Sequence, residues 1–287
     1  TAIAAAFLPF LLGEAQEARM YTMTLAWLAA AALVVPAALA PSETGQSGGK
    51  RAPAGLRPSR RQSILWIAFA VFSALALLTH YAAVFALVPL WGWAGLRALF
   101  ALPRGWVYIW LRLRPLLLAG LLTVLLCLPG VPVALRQIPG YRNPNLVVPQ
   151  VSGFLAELAR VYSLGEHFDP VQARPWMLAL GVLLAGGWVA ALMGSLRQHL
   201  RRTRKHPERV HGSTPPTYNG QSKDADLWPW ISPMLLALLW AVVPLLIYYL
   251  VISDRATSAT RYISVALPGW LLLAGLALAG WARLHRG

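Results

Sequence analysis

Glu14, Glu17, Arg19 and Tyr21 stand together between two strongly apolar stretches, residues 1–13 and 22–40. Carboxylates and a guanidinium at a membrane boundary are costly unless they meet water, each other or a ligand. An arginine fork pairs two oxygens of a phosphate, and a neighbouring carboxylate can orient that fork or contact a polar substrate. If a helix covers residues 14–23, Glu14, Glu17 and Tyr21 share one face and Arg19 projects to the other. The plainer reading is an interfacial anchor, with Arg19 snorkelling, Tyr21 in an aromatic belt and the glutamates hydrated. Spacing alone leaves both open. His80-Tyr81 and Arg255, Arg261 and Tyr262 are the other groups with chemical potential. A histidine at a helix end is ordinarily satisfied by a carbonyl, and Arg261 fits a snorkelling role as well as a phosphate contact.

The elements that must position these groups are apolar helices. Of 287 residues, 57% are hydrophobic and 12% charged, a charged share well below that of a soluble domain. Eight apolar runs lie near 1–13, 20–41, 63–79, 82–101, 115–134, 176–195, 230–252 and 263–282, most of them close to the ~20 residues that a membrane span needs. The reading is an all-α, polytopic transmembrane helix bundle of about eight hydrophobic segments. The first run is too short to span and the chain opens on Thr1, which suggests a start inside a helix of a longer protein.

Net charge is +15, and its distribution matters more than its size. Threading the runs alternately puts 18 basic and four acidic residues in one set of loops, against seven basic and six acidic in the other. The positive-inside rule makes the first set cytoplasmic. The basic charge then sets topology and touches anionic lipid, and nucleic-acid binding is not implied. Glu14–Tyr21, His80-Tyr81 and Arg255–Tyr262 all fall on the outer side.

Residues 42–62 and 197–227 read as disordered cytoplasmic linkers, rich in Ser, Gly, Pro and basic residues. His199, His206 and His211 sit among arginines that repel cations, so a solvated linker is favoured over a metal site. Asp224-Ala225-Asp226 is read the same way, and no outer Asp-x-Asp occurs, so neither a metal nor a cofactor is implied. Cys127 is the only cysteine, lies in an apolar run and reads as a small buried hydrophobe. There is no Walker loop or dinucleotide-binding glycine pattern. Residues 135–175 form the one long outer segment. Within it Val151, Phe154, Leu155, Leu158 and Tyr162 recur at helical spacing, with Glu157, Arg160 and Ser163 facing away. This predicts an amphipathic helix on the outer membrane surface, and Pro170 and Pro175 delimit the span that follows.

Gln16-Glu17-Ala18-Arg19-Met20-Tyr21, followed by an apolar helix, resembles the Ser-Gln-Glu-Ala-Arg-Met-Tyr segment of bacterial glycosyltransferase family 39 membrane proteins, with Ala15 in the place of the serine. These are relatives of the dolichyl-phosphate-mannose protein mannosyltransferases. Three further features resemble the family in order: Thr79-His80-Tyr81; Leu128-Pro129-Gly130-Val131-Pro132 followed by Arg136-Gln137, with Gly130 replacing an aromatic; and Arg261-Tyr262 followed by Leu267-Pro268. Each motif is short, and their common order along nearly the whole chain carries the resemblance.

The resemblance implies a GT-C-like fold, a polyprenyl-phosphate-linked sugar donor, and transfer to an acceptor at the extracytoplasmic face of a bacterial inner membrane. Its partners are then the lipid-linked donor, membrane lipids and an unknown acceptor. The family's catalytic carboxylate lies in the first outer loop, which would precede Thr1, so the resemblance implies that the carboxylate is absent from this chain. Glu17, Arg19, Tyr21, His80, Tyr81, Arg255, Arg261 and Tyr262 remain as candidates for donor-phosphate or substrate binding. Arg19 is the preferred phosphate contact and Glu17 its orienter, with the three tyrosines read as belt aromatics more readily than as sugar platforms. A transporter or lipid flippase and a non-catalytic membrane scaffold are the rivals. The first would need polar residues deep within several spans, where this sequence is nearly all apolar.

Overall fold

The computed structural model describes residues 20–40, 59–100, 106–137, 150–165, 168–204, 228–252 and 260–284. Among these there are nine α-helices and no strand: α1 (Met20–Ala38), α2 (Arg60–Thr79), α3 (Ala83–Phe100), α4 (Trp106–Cys127), α5 (Val131–Gln137), α6 (Val151–Leu164), α7 (Pro170–Arg204), α8 (Trp228–Ile252) and α9 (Leu267–Leu284). Short 3₁₀ turns, Leu128–Gly130 and Thr260–Ala266, lead into α5 and α9.

Among the described residues, six segments are long and apolar enough to cross a membrane: Met20–Ala38, Arg60–Thr79, Ile109–Gln137, Pro170–Gly194, Pro233–Val251 and Ile263–Ala282. Ala83–Leu99 is apolar but shorter, spanning about 25 Å at 1.5 Å per residue against a hydrocarbon core of about 30 Å. The chain is therefore a multi-pass membrane protein. Its helices form because hydrocarbon offers no partner for backbone polar groups, so each segment must satisfy them internally. The run at 1–13 lies outside the described residues.

Each helix finds one or two main neighbours. α2 lies between α1 and α4, α3 packs on α8, α8 on α9, and α9 on α7. One core gathers Leu28, Val35, Phe69, Leu90, Trp93 and Trp240 from α1, α2, α3 and α8. Ends that carry the basic loops are joined by a capped start to α2. The Gln62 amide N–H donates to Ser59 Oγ (3.2 Å), the Ser59 N–H donates to Gln62 Oε1 (2.9 Å), and Gln62 Nε2 donates across to the Ala40 carbonyl (2.6 Å). This capping box satisfies orphan donors of the first turn and ties α2 to the end of α1.

Small residues bring two pairs of backbones together. A methyl group at Gly269 would collide with the Trp240–Ala241 backbone of α8, and one at Gly280 would collide with the Gly187 carbonyl of α7. Close approach through glycine replaces the hydrophobic driving force that lipid cannot supply between helices. The α7–α9 pair is pinned on either side by indoles donating to carbonyls, Trp188 to Leu273 (3.1 Å) and Trp281 to Leu183 (2.9 Å).

Several sequence expectations are corrected. α7 begins at Pro170 and continues through Pro175, so the second proline lies inside the helix. Its position near the start, where few carbonyls precede it, limits the usual interruption. α7 also runs on to Arg204, into the stretch read as a linker, while 42–58 and 205–227 lie outside the described residues. Cys127 is only half-buried and its thiol faces the Ala74 carbonyl at 3.9 Å. The amphipathic helix exists as α6, but its buried face is Phe154, Leu158, Val161 and Tyr162, whereas Val151 and Leu155 are exposed. That face covers Leu245 and Tyr248 of α8 and Ile263 of the 3₁₀ turn, so it rests on protein.

Arg160 is the sharpest correction, at 8% exposure rather than on the outward face. Its guanidinium bends over the end of α6. It pairs with Glu157 (2.5 Å) and donates to the carbonyls of Phe168 (2.5 Å) and Gly165 (3.4 Å). Carbonyls left unpaired at a helix end attract a cation, and here one arginine serves that end and the turn beyond it. Gly165 permits this turn, with a positive φ of 96°.

Candidate functional site

The site is built where α2 stops. Thr79 Oγ1 donates to the Leu75 carbonyl (2.6 Å), and the His80 N–H makes the last helical bond, to the Ala76 carbonyl (3.0 Å). His80 then turns extended, with φ −157° and ψ 127°. Its carbonyl accepts from the Ala83 N–H at the start of α3 (3.0 Å), so a three-residue link, His80–Ala82, reverses the chain.

The His80 ring shapes this link. Its Nδ1 accepts from the Ala82 N–H at 3.0 Å, which assigns the ring proton to Nε2. The histidine is thus held by an amide donor, not by a carbonyl as the sequence reading favoured. Burial lowers its pKa below the ordinary value, since desolvation disfavours the imidazolium. Protonation would also cost the ring its acceptor. His80 therefore stands neutral at pH 7 with one ring N–H, and among the described residues no group pairs with that N–H.

Tyr21, in the first turn of α1, lays its ring against His80, with centroids 5.0 Å apart and planes at 41°. At 5% exposure it is a buried wall of the site rather than a belt aromatic. Tyr81 behaves as a belt residue should, being exposed, and its hydroxyl donates to Gln137 Oε1 (3.1 Å) at the end of α5. Gln137 belongs to the Arg136-Gln137 pair noted in the sequence, yet nothing in its spacing from Tyr81 announces the bond.

The fourth segment arrives from the C-terminal side. The Thr260–Ala266 turn packs beside α1, α3 and α8. It is fixed by Tyr162 Oη and Trp240 Nε1, which donate to the carbonyls of Ile263 (2.5 Å) and Val265 (3.0 Å). Arg261 and Tyr262 lie in this turn, which is placed here by its backbone. Ser264 in the same turn is fully buried, and its hydroxyl has no hydrogen-bond partner among the described residues. A buried unpartnered hydroxyl near a convergence of polar groups is a feature the sequence did not single out.

Glu17, Arg19 and Arg255 lie outside the described residues, as does Glu14. Arg19 directly precedes Met20, the first residue of α1, so the chain reaches the Tyr21–His80 contact from that cluster. Among the described residues no group of three metal-ligating side chains converges. Chemically, the assembled groups offer a neutral imidazole donor, phenol hydroxyls and an amide, held at one end of an apolar bundle. No family model, curated protein or solved structure matches the chain.

Proposed function

We propose that this chain is a membrane glycosyltransferase resembling glycosyltransferase family 39, moving a sugar from a polyprenyl-phosphate donor to an acceptor at the outer face of a bacterial cell membrane. One observation carries the reading. Tyr21, His80 with Tyr81, Gln137 and the 260–266 turn are far apart in sequence and meet at one end of a bundle of apolar helices. Each comes from a segment that resembles the family.

In the reaction the bond between the sugar's anomeric carbon and the phosphate oxygen breaks. A new bond joins that carbon to an acceptor hydroxyl oxygen, and the acceptor proton passes to a base. The departing polyprenyl phosphate gains negative charge, which fixed cations and hydrogen-bond donors stabilise. Arg19 takes the phosphate as a bidentate partner and Glu17 orients it, with Arg255 or Arg261 supplying a second cation. His80 donates its Nε2–H to a substrate oxygen, and the Tyr21 ring holds the imidazole in place. The general base is not assigned to a residue of this chain.

The test is turnover. The full-length gene product in proteoliposomes, given polyprenyl-phosphate hexose radiolabelled in the sugar and a membrane extract as acceptor source, should move label out of the donor fraction. Arg19→Ala should slow this by about 100-fold, the scale of losing one group that stabilises a departing anion. A donor that stays intact as in protein-free vesicles sinks the reading. Label that crosses the bilayer still attached to its lipid would support a flippase instead.

A further inference from the structure

The glycosyltransferase reading gives no role to Gln137, although the structure ties it to the candidate site. Contacts along α4 show how it gets there. Thr123 Oγ1 donates to the Ala70 carbonyl (3.3 Å), Cys127 Sγ faces the Ala74 carbonyl (3.9 Å), and a methyl group at Gly130 would touch the Leu78 side chain (3.0 Å). The two sets of positions rise together, so α4 and the turn after it run parallel to α2 up to its last residues. There the two segments part. α2 ends at Thr79 and the chain reverses, whereas α5 continues to Gln137. Measured from the Gly130–Leu78 contact, Gln137 stands about four residues, or about 6 Å, farther along the axis than Tyr81. The Tyr81 side chain covers that step, and its hydroxyl donates to Gln137 Oε1 at 3.1 Å.

Both partners of this bond are exposed, Tyr81 to 39%. Water competes for such a bond, so it adds little to stability. Its effect is to orient. Holding the hydroxyl fixes the direction of the Tyr81 ring, which a belt tyrosine met only by water would leave free. It fixes the amide as well. With Oε1 accepting from the tyrosine, both Nε2 hydrogens point away from that bond, and among the described residues nothing accepts them.

An oriented aromatic face beside an outward amide suits a particular ligand chemistry. A pyranose ring has an apolar C–H face, which stacks on an aromatic ring, and a rim of hydroxyls, which pair with a planar amide. A bare phosphate calls for cations and hydrocarbon for an apolar surface, whereas the Tyr81–Gln137 pair is neutral and polar. His80, the residue before Tyr81, adds a neutral ring N–H from the same link.

We propose that Tyr81 and Gln137 form the sugar-binding face of the site, the Tyr81 ring stacking on the donor sugar and the Gln137 amide donating to one of its hydroxyls. The inference rests on the glycosyltransferase reading. It adds to that reading a residue that recognises the sugar rather than the lipid phosphate, so that donors differing only in their sugar are told apart here.

Kinetics of the full-length gene product in proteoliposomes test it, with polyprenyl-phosphate hexose as donor and sugar-free polyprenyl phosphate as competing inhibitor. Gln137→Met should raise the donor KM about fivefold, the scale of one hydrogen bond. It should leave the inhibition constant of the sugar-free lipid unchanged. Tyr81→Leu, which loses the ring and its hold on the amide, should raise KM about tenfold with the same split. Tyr81→Phe keeps the ring and only frees the amide, so its effect should be the smallest of the three. If Gln137 merely held α5 against the link, the two constants would move together, and that result overturns the proposal. So does a donor KM that Gln137→Met leaves unchanged while the unaltered protein turns over. No turnover by the unaltered protein sinks the transferase reading itself, and the proposal with it.

Discussion

The two ends of this bundle treat polar side chains in opposite ways. At the end that holds the candidate site most of them are satisfied from within the protein. His80 Nδ1 takes an amide proton, Tyr81 meets Gln137, Arg160 closes the end of α6 and Tyr162 reaches a carbonyl of the 260–266 turn. At the basic end Arg97 lies over the Trp93 ring, and no described carboxylate pairs with Arg61, Arg97 or Arg114. Among the described residues the end that holds the candidate site thus satisfies most of its polar groups from within, the His80 Nε2–H and the Ser264 hydroxyl excepted, while the basic end has few such contacts. The same residue type shows the contrast most clearly: Arg160 is buried and fully engaged, whereas Arg114 is exposed at a lipid boundary.

Substitutions should reproduce this contrast. The largest effect is expected for Arg160→Met, which strips the Gly165 and Phe168 carbonyls of their donor and frees Glu157. Breaking a fully buried pair costs more, but Glu157 is 46% exposed, so about 2 kcal/mol is expected from unfolding in mixed micelles. Next is Tyr162→Phe, which removes a buried hydroxyl donor from the Ile263 carbonyl at a cost of about 1 kcal/mol by the same measurement. If Tyr162→Phe were neutral, α6 would be docked by its apolar face alone.

The titration of His80 follows. Burial depresses its folded pKa, so the unfolded chain takes up the proton first as pH falls. The stability from keeping the ring neutral is complete above the unfolded pKa of about 6.5 and is lost as pH falls from there towards the folded value. Unfolding midpoints measured between pH 7.5 and pH 5 should decline, and His80→Asn, which keeps an acceptor for the Ala82 N–H, should flatten that decline. Tyr81→Phe should cost about 0.5 kcal/mol or less in the same assay, because its bond to Gln137 is exposed to competing water. Arg114→Gln is expected to leave the unfolding midpoint in detergent unchanged. An Arg114→Gln chain as unstable as Arg160→Met would erase the distinction between the two ends.

Much of the fold is legible along the chain. Apolar runs mark the spans because hydrocarbon admits only segments that satisfy their own backbone. The spacing of Phe154, Leu158 and Tyr162 announces α6, and Thr79-His80-Tyr81 announces the reversal between α2 and α3. Arg160 reads as outward-facing because its register puts it off the apolar stripe. What buries it is the path of the chain after Gly165, which brings the Phe168 carbonyl within reach. Tyr21 reads as a belt aromatic for a similar reason, since its partner His80 lies on another helix.

The sequence by itself determined that this is an all-helical, multi-pass membrane protein with its charge gathered at the helix ends, because hydrophobic length and charge placement are local properties of the chain. Only the tertiary structure decided which ends meet. Tyr21 beside His80 and Tyr81 beside Gln137 depend on how helices slide against each other. That register is set by side-chain contacts and close backbone approach between segments far apart in sequence, and no single segment carries it.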